Sequence, residues 1–413
     1  MKKNLILLFT LTINLCLSQS KEANEEKWGI RFEGFVKADF WYDSRAIKGS
    51  REDYFLVFPD SIKKNREGKD LNATKNMHAS VAASRLTGKI NAPDVLGAKA
   101  GGMLEADFTG ASNMGLNEFR IRHAFARLNW DKTELLLGQT WHPMFTPDVF
   151  PDVLSLNTGA PFQPFIRNPQ LQIQYWVSPK FRLLGAAIFQ RDNASAGPNG
   201  ISPEYLRKAV LPNFHFQLSY KTDQHVAGIG LDYKKIVPTL KTDSGYVCSN
   251  YLESFAVVGW YKFSGSGFVV RAKAIYGQNL TEHLLLGGYA VEKYDTTRGQ
   301  ATYTPYNHLF VWINPVYGKK VQMGLFAGYA KNFGTSHNSI NKYYTLWGSD
   351  VQIDQLVRVS PGVSYVSEKI KISLETEYTA AWYGKTDNRD KNKVKNTKQL
   401  ANTRMLAGVC FYF

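Results

Sequence analysis

From Gly29 onward, apolar and polar residues alternate with a period of two. Ile30, Phe32, Val36, Ala38, Phe40 and Tyr42 share one parity, while Arg31, Glu33, Lys37 and Asp39 share the other, with Phe35 and Trp41 as exceptions. A period of two predicts a strand with two unlike faces. The pattern recurs over 98–109, 170–177, 213–221 and 370–383, and less clearly over 77–90, 135–141 and 304–314. It also ends the chain, where Met405, Ala407, Val409, Phe411 and Phe413 alternate with Arg404, Gly408 and Tyr412. A Lys or Arg facing lipid at the bilayer midplane costs about 2–4 kcal/mol, so the charged parity predicts a lumen face and the apolar parity a lipid face. A terminal strand frays unless something pairs with it, and closure onto the first strand supplies that partner.

The connections sort into two kinds. Short turns are expected near Asn91–Leu96, Asp131–Lys132, Ser178–Lys180, Thr222–Gln224, Ser264–Ser266, Pro315–Lys319 and Ser367–Lys369, where Gly, Pro, Ser and Asp supply the turn chemistry. Long polar connections are expected near 44–74, 110–116, 142–168, 191–208, 235–250, 279–304, 333–349 and 384–399, the last a basic external tip over Thr386–Lys398. The two kinds alternate. The expectation is an all-β transmembrane antiparallel β-barrel of about 16 strands, with short periplasmic turns, long external loops and both termini periplasmic.

Composition narrows the class. No apolar run is long enough for a membrane helix beyond the first residues, while aromatic residues make up 14% of the chain. Residues 1–20 read as a signal peptide: Lys2 and Lys3, an apolar stretch from Leu5 to Leu17, then Ser18 and Ser20 before a cut. Residues 21–28 form a short periplasmic lead-in and 29–413 a single pore domain. The formal charge of +15 fits nucleic acid, acidic membrane or anionic solutes, and an exported barrel meets little nucleic acid. Cys248 is expected in an external loop and Cys410 near the opposite rim, too far apart to pair. The eight His are scattered without HExxH or CxxC spacing, so no metal site and no cofactor are expected. No Ser–His or acid–His constellation marks an enzyme.

Two segments are candidates for the narrowest section of a pore. The first is 142–168, an apolar connection with Pro143, Pro147, Pro151, Pro161 and Pro164, and with Asp148 and Asp152 between them. Such prolines forbid strand pairing and stiffen the chain, and an apolar long loop packs against something. An external lid or a subunit contact is the alternative. The second is Asn117–Arg127, with Glu118, Arg120 and Arg122 on one strand face and Phe119, Ile121, His123 and Phe125 opposite. Two Arg spaced by two place cations about 7 Å apart along the wall, which suits a carboxylate or phosphate solute. Arg85 and Lys89 in the preceding strand region, and Arg167 on the long loop, are expected to join them. The alternative is a structural network balanced by Glu105, Asp107 and Glu118. His123 on the outer face would mark a subunit interface. Phe35, Trp41, Trp176 and Trp260 fall on the inward parity, which keeps open a channel for sugars or hydrophobic compounds.

The run Arg120–Phe125, the run Leu136–Trp141 and the Pro-rich loop after it resemble the DcaP-like trimeric porins of Gram-negative bacteria. The resemblance implies a 16-stranded homotrimeric barrel in the outer membrane. It implies passive diffusion of small hydrophilic solutes, with a preference for anions such as dicarboxylates, and basic lumen residues at Arg120 and Arg122. Some members carry an N-terminal coiled coil, for which 21–28 is too short, so trimer contacts would come from the barrel wall. The alternating end on Phe413 looks like the signal read by the barrel assembly machinery. Lipid and lipopolysaccharide are the expected surroundings.

Overall fold

The computed structural model describes residues 28–110, 115–242 and 245–413. The expected signal peptide and residues 21–27 of the lead-in lie outside the described residues. Sixteen wall strands follow one another: β1 (Gly29–Asp43), β2 (Asn76–Ser80 with Arg85–Asn91), β3 (Lys99–Asp107), β4 (Arg120–Asn129), β5 (Thr133–Trp141), β6 (Arg167–Trp176), β7 (Phe181–Ile188), β8 (Asn213–Lys221), β9 (His225–Ile236), β10 (Leu252–Gly265), β11 (Phe268–Gln278), β12 (Gln300–Tyr317), β13 (Val321–Thr335), β14 (Ile353–Val366), β15 (Ile370–Asp387) and β16 (Lys393–Tyr412). Each pairs antiparallel with the next. Closure is made by β1 and β16, from Phe35 opposite Tyr412 to Asp43 opposite Arg404. The last residue is tied in, since Gly34 N–H donates to Phe413 O and Phe413 N–H to Gly34 O. Closure leaves no open sheet edge, which is what a strand-built membrane crossing requires.

The two parities separate as the alternation predicts. Ile30, Phe32, Val36 and Phe40 stand exposed on the outer wall, whereas Asp39, Trp41 and Asp43 are buried inside. On β6, Leu171, Ile173 and Tyr175 are exposed and Gln170, Gln172 and Gln174 are buried. Cys248, in the loop before β10, and Cys410, on β16, are both free thiols.

Several connections depart from expectation. The last hairpin is a tall ladder, with β15 and β16 paired as far as Asp387 and Lys393, so the Lys-rich stretch is strand and only 388–392 forms the tip. The connection at 279–304 gains a strand, Tyr289–Asp295, which pairs back onto β12. The first long connection holds a hairpin, Ile47–Ser50 with Phe55–Pro59. Phe55, Leu56, Val57 and Phe58 of that hairpin are fully buried, because it folds into the barrel and not over it. The Pro-rich loop, 142–166, also folds inward. Its Met144, Val149, Ala160 and Phe162 join Phe55, Val57 and Phe58 in one core with Val258 and Trp260 (β10), Ile275 (β11), Phe310 and Trp312 (β12), Phe326 (β13) and Leu356 (β14). Burying each large apolar side chain contributes about 1.5–3 kcal/mol. The inner wall is therefore divided: β10–β15 present apolar side chains to the two loops, while β3, β4 and β6 bury polar ones, among them Asp107, Arg122, Gln170, Gln172 and Gln174.

Candidate pore constriction

The Pro-rich loop is anchored on many sides of the barrel. Lys273 Nζ on β11 donates to the carbonyls of Met144 and Phe145, at 3.1 and 2.7 Å. Trp312 Nε1 donates to Gln163 Oε1 at 3.1 Å. Arg358 on β14, fully buried, donates to Ala160 O and to Val57 O of the inner hairpin, and pairs with Glu377 at 2.9 Å. Asn157 Nδ2 bridges Leu56 O and Glu377 Oε1, and Lys37 Nζ on β1 donates to Leu154 O at 2.9 Å. The loop aspartates are tethers: Asp148 pairs with Lys221 of β8 at 3.0 Å and Asp152 with Lys371 of β15 at 2.9 Å. Pro143 opens a short helical turn, Pro143–Phe145, and Pro147 lines a cavity of about 170 Å³ on the short-turn side of the loop. Pro151 packs against Gly159, where a Cβ would stand 2.8 Å from Pro151 Cγ.

The arginines gather on the opposite, polar wall. Pairing of β3 with β4 slips between Glu105 and Ala106, so that Glu105 faces His123, Ala106 faces Ile121 and Asp107 faces Arg120. Arg122 is the extra residue of this bulge, and such a bulge re-aims a side chain. Arg120 and Arg122 consequently converge and do not stand one repeat apart. Arg120 Nη2 lies 3.0 Å and Arg122 Nη1 2.6 Å from the same Asp107 Oδ2. Arg122 Nε also holds Glu105 Oε1 at 2.7 Å, and Arg85 Nε lies 3.5 Å from that oxygen. The same slip turns His123 inward, contrary to the outer-face expectation: it is buried, with Nδ1 3.0 Å from Thr140 Oγ1 and Nε2 3.8 Å from Glu105.

Other expected members stand elsewhere. Strand β4 begins at Arg120, and Glu118 is exposed in the loop before it, folded back over Gly115. Lys89 lies farther along β2, opposite Met103 and not opposite the acidic pair, and bonds Glu33. Arg167 is the first residue of β6, paired with Trp141, and not part of the loop. Its guanidinium lies 4.0 Å from the Trp141 ring centre. Its Nε and Nη2 are buried and have no hydrogen-bond partner among the described residues.

Arg120, Arg122 and Arg167 line one small cavity together with Arg51, Thr109, Asn193 and Phe165. Arg51 and Asn193 come from the first and fourth long loops, and no strand periodicity could have placed them there. Burial, then the nearby Arg120 cation, lower the pKa of Arg51 to about 10. Phe55, Phe165, Trp141, Phe145 and Phe150 form a run of contacting rings beside the arginines, which the aromatics singled out from the sequence do not join. Trp41 stacks on Tyr54 at 4.7 Å, Trp260 is packed under the Pro-rich loop, and Trp176 lines the cavity at the short-turn end.

A closed 16-stranded barrel with an apolar outer band, a charged inner wall and its third long loop folded across the lumen defines an outer-membrane channel of the porin class. The sequence model of the DcaP outer membrane protein family matches residues 2–198. The fold is shared with the outer membrane channel DcaP of Acinetobacter baumannii, at 17% identity and a TM-score of 0.67, over 96% of this chain and 100% of that one. It is shared with an anion-selective porin from Comamonas acidovorans, at 11% identity and a TM-score of 0.55, over 94% and 100%. OmpT of Vibrio cholerae matches at 11% identity and a TM-score of 0.54, over 95% and 100%. At such identities the likeness is one of fold. No curated protein sequence matches.

Proposed function

We propose that this porin passes small hydrophilic solutes by passive diffusion and prefers anions, dicarboxylates among them. The observation that carries the reading is Arg167. A buried cation with two donors left without partners is costly. A carboxylate at the cavity among Arg51, Arg120, Arg122 and Arg167 would offset that cost through charge-assisted hydrogen bonds, and a second carboxylate would find a second arginine. Glu105 and Asp107 neutralise Arg122 and part of Arg120, so the cluster is both a structural network and a source of net positive potential. Trp41 and Trp260 are occupied by packing, which favours this reading over a sugar track. The short-turn end, where both ends of the barrel sheet lie, is the periplasmic side after removal of residues 1–20. Three copies assemble through their walls, folded by the barrel assembly machinery from the terminal strand ending on Phe413, among lipid and lipopolysaccharide.

The test is the reversal potential of the purified barrel in a planar bilayer under a potassium chloride gradient. Anion-side reversal is expected, with current steps in threes. The double variant Arg120→Ala with Arg167→Ala should lower the anion-to-cation permeability ratio several-fold, and a four-carbon dicarboxylate should block chloride current in the wild type but not in the variant. Cation-side reversal in the wild type would sink the anion reading.

A further inference from the structure

Two histidines and an aspartate, from different parts of the sequence, meet at the start of the Pro-rich loop. His142 is the first residue of that loop, His215 lies on β8 and Asp232 on β9, where His215 and Asp232 are register partners. All three are buried, at 1%, 0% and 6% exposure. His215 Nδ1 lies 3.1 Å and His142 Nε2 3.5 Å from the same Asp232 Oδ2. The ligand atoms of the three all fall within 4.8 Å of one another. We propose that His142, His215 and Asp232 bind one divalent transition-metal ion, of the Zn²⁺ and Co²⁺ class, which pins the start of the constriction loop to the barrel wall.

Geometry, tautomer and the unpartnered atoms nearby support this. Bonds of about 2.0–2.2 Å to a tetrahedral metal place neighbouring ligand atoms about 3.3 Å apart, and the separations of 3.1 and 3.5 Å match that span. His215 Nε2 lies 3.3 Å from Gln217 Oε1, an acceptor that holds the ring proton on Nε2 and leaves Nδ1 free to ligate. His142 Nε2 is buried, aimed at Asp232 and without a hydrogen-bond partner among the described residues. The His283 ring stands across that of His142, 4.6 Å between centroids, with both of its nitrogens also unpartnered. Each such orphaned buried group costs about 1–3 kcal/mol, and a metal relieves that cost by ligation. His283 or a water completes the set.

Nitrogen-rich donors select a borderline metal over Ca²⁺ or Mg²⁺. The neighbouring cation is neutralised, since Lys234 pairs with Glu282 and donates to Asn279 O. Gly230 leaves room for the ring, because a Cβ there would stand 2.9 Å from His215 Nε2. Gln217 also lines the cavity of about 170 Å³ on the short-turn side, which offers an approach for the ion. Ligation through Nε2 moves the His142 proton to Nδ1 and ends the 3.3 Å bond accepted there from Met144 N–H. Occupancy is thereby coupled to the turn whose carbonyls Lys273 holds.

The test uses the refolded full-length barrel in detergent, stripped with chelator and titrated with Co²⁺ and with Zn²⁺. One ion per chain is expected, with a visible Co²⁺ band of nitrogen–oxygen ligation and altered hydrogen exchange at the Met144 amide. His142→Ala and Asp232→Asn should abolish binding, and Gln217→Ala should weaken it about 10–100-fold. Heat-shifted gel mobility and circular dichroism select the variants that retain the barrel. Absence of stoichiometric binding in the wild type overturns the proposal. So does unchanged binding in folded His142→Ala and Asp232→Asn, which would leave only a buried hydrogen-bond cluster.

Discussion

At the scale of single residues, two neighbouring arginines have different standings. Arg122, at 3% side-chain exposure, is held by two carboxylates. Removing it leaves Glu105 and Asp107 short of their main partner in a dry wall, and breaking such a pair costs about 3–5 kcal/mol. Arg122→Ala should lower unfolding stability in urea by that order, read by tryptophan fluorescence. A loss below about 1 kcal/mol would remove Arg122 from the structural role. Arg167 has no carboxylate partner among its described contacts, so Arg167→Ala should leave stability nearly unchanged and act on conduction alone.

Asp350 offers a pH dependence at the same scale. It lies in the loop before β14, buried beside Val351, and burial raises its pKa from 3.8 to about 7. In the folded state it therefore binds a proton that the unfolded chain has lost. Its contribution falls as pH rises from about 4 to 7. The loop 336–352 should show lower amide protection, corrected for the intrinsic exchange rate, at pH 8 than at pH 6, and Asp350→Asn should remove that difference.

At the scale of elements, the Pro-rich loop and the first inner hairpin act as one packed unit. Phe162 sits against Gly328 of β13, where a Cβ would come within 2.7 Å of the ring. Gly328→Ala should displace Phe162 and the loop, at a cost of about 1–3 kcal/mol. The expected readout is a changed single-channel conductance with added current noise; an unaltered conductance would mean that this end of the loop does not bound the passage. The β15–β16 hairpin gives the opposite expectation. Lys393 and Lys395 are exposed at its tip and paired with Asp390 and Asp387. Replacing both by Gln should leave ion selectivity unchanged, since exposed and locally paired charges are screened within about a Debye length.

At the scale of the whole molecule, the lumen is asymmetric. Two loops fill the side of β10–β15 with apolar packing, and β3, β4 and β6 carry the charged cluster of Glu105, Asp107, Arg120, Arg122 and Arg167. Removing the inner hairpin, residues 47–59, should raise conductance several-fold in bilayer recordings while the barrel still closes through β1 and β16. No rise would place the limiting section elsewhere.

The strands, their facing, the strand number and the inward Pro-rich loop were legible in the chain, because a barrel wall between lipid and water imposes a period of two wherever it runs. Trp41 and Phe35 broke the apolar-outside pattern and still face inward. What escaped the reading follows from contacts between distant segments. A one-residue slip of β4 against β3 brought Arg122 and His123 to the same carboxylate, and nothing in Asn117–Arg127 alone marks where a partner strand will slip. Arg51 and Asn193 reach the cavity from loops without periodicity, and His142, His215 and Asp232 meet only because neighbouring strands bring them into register. The sequence by itself determined the barrel, since alternation is a local response to two solvents. Only the tertiary structure decided the composition of the lumen, since inward side chains are sorted by loops and register shifts that depend on the closed ring of strands.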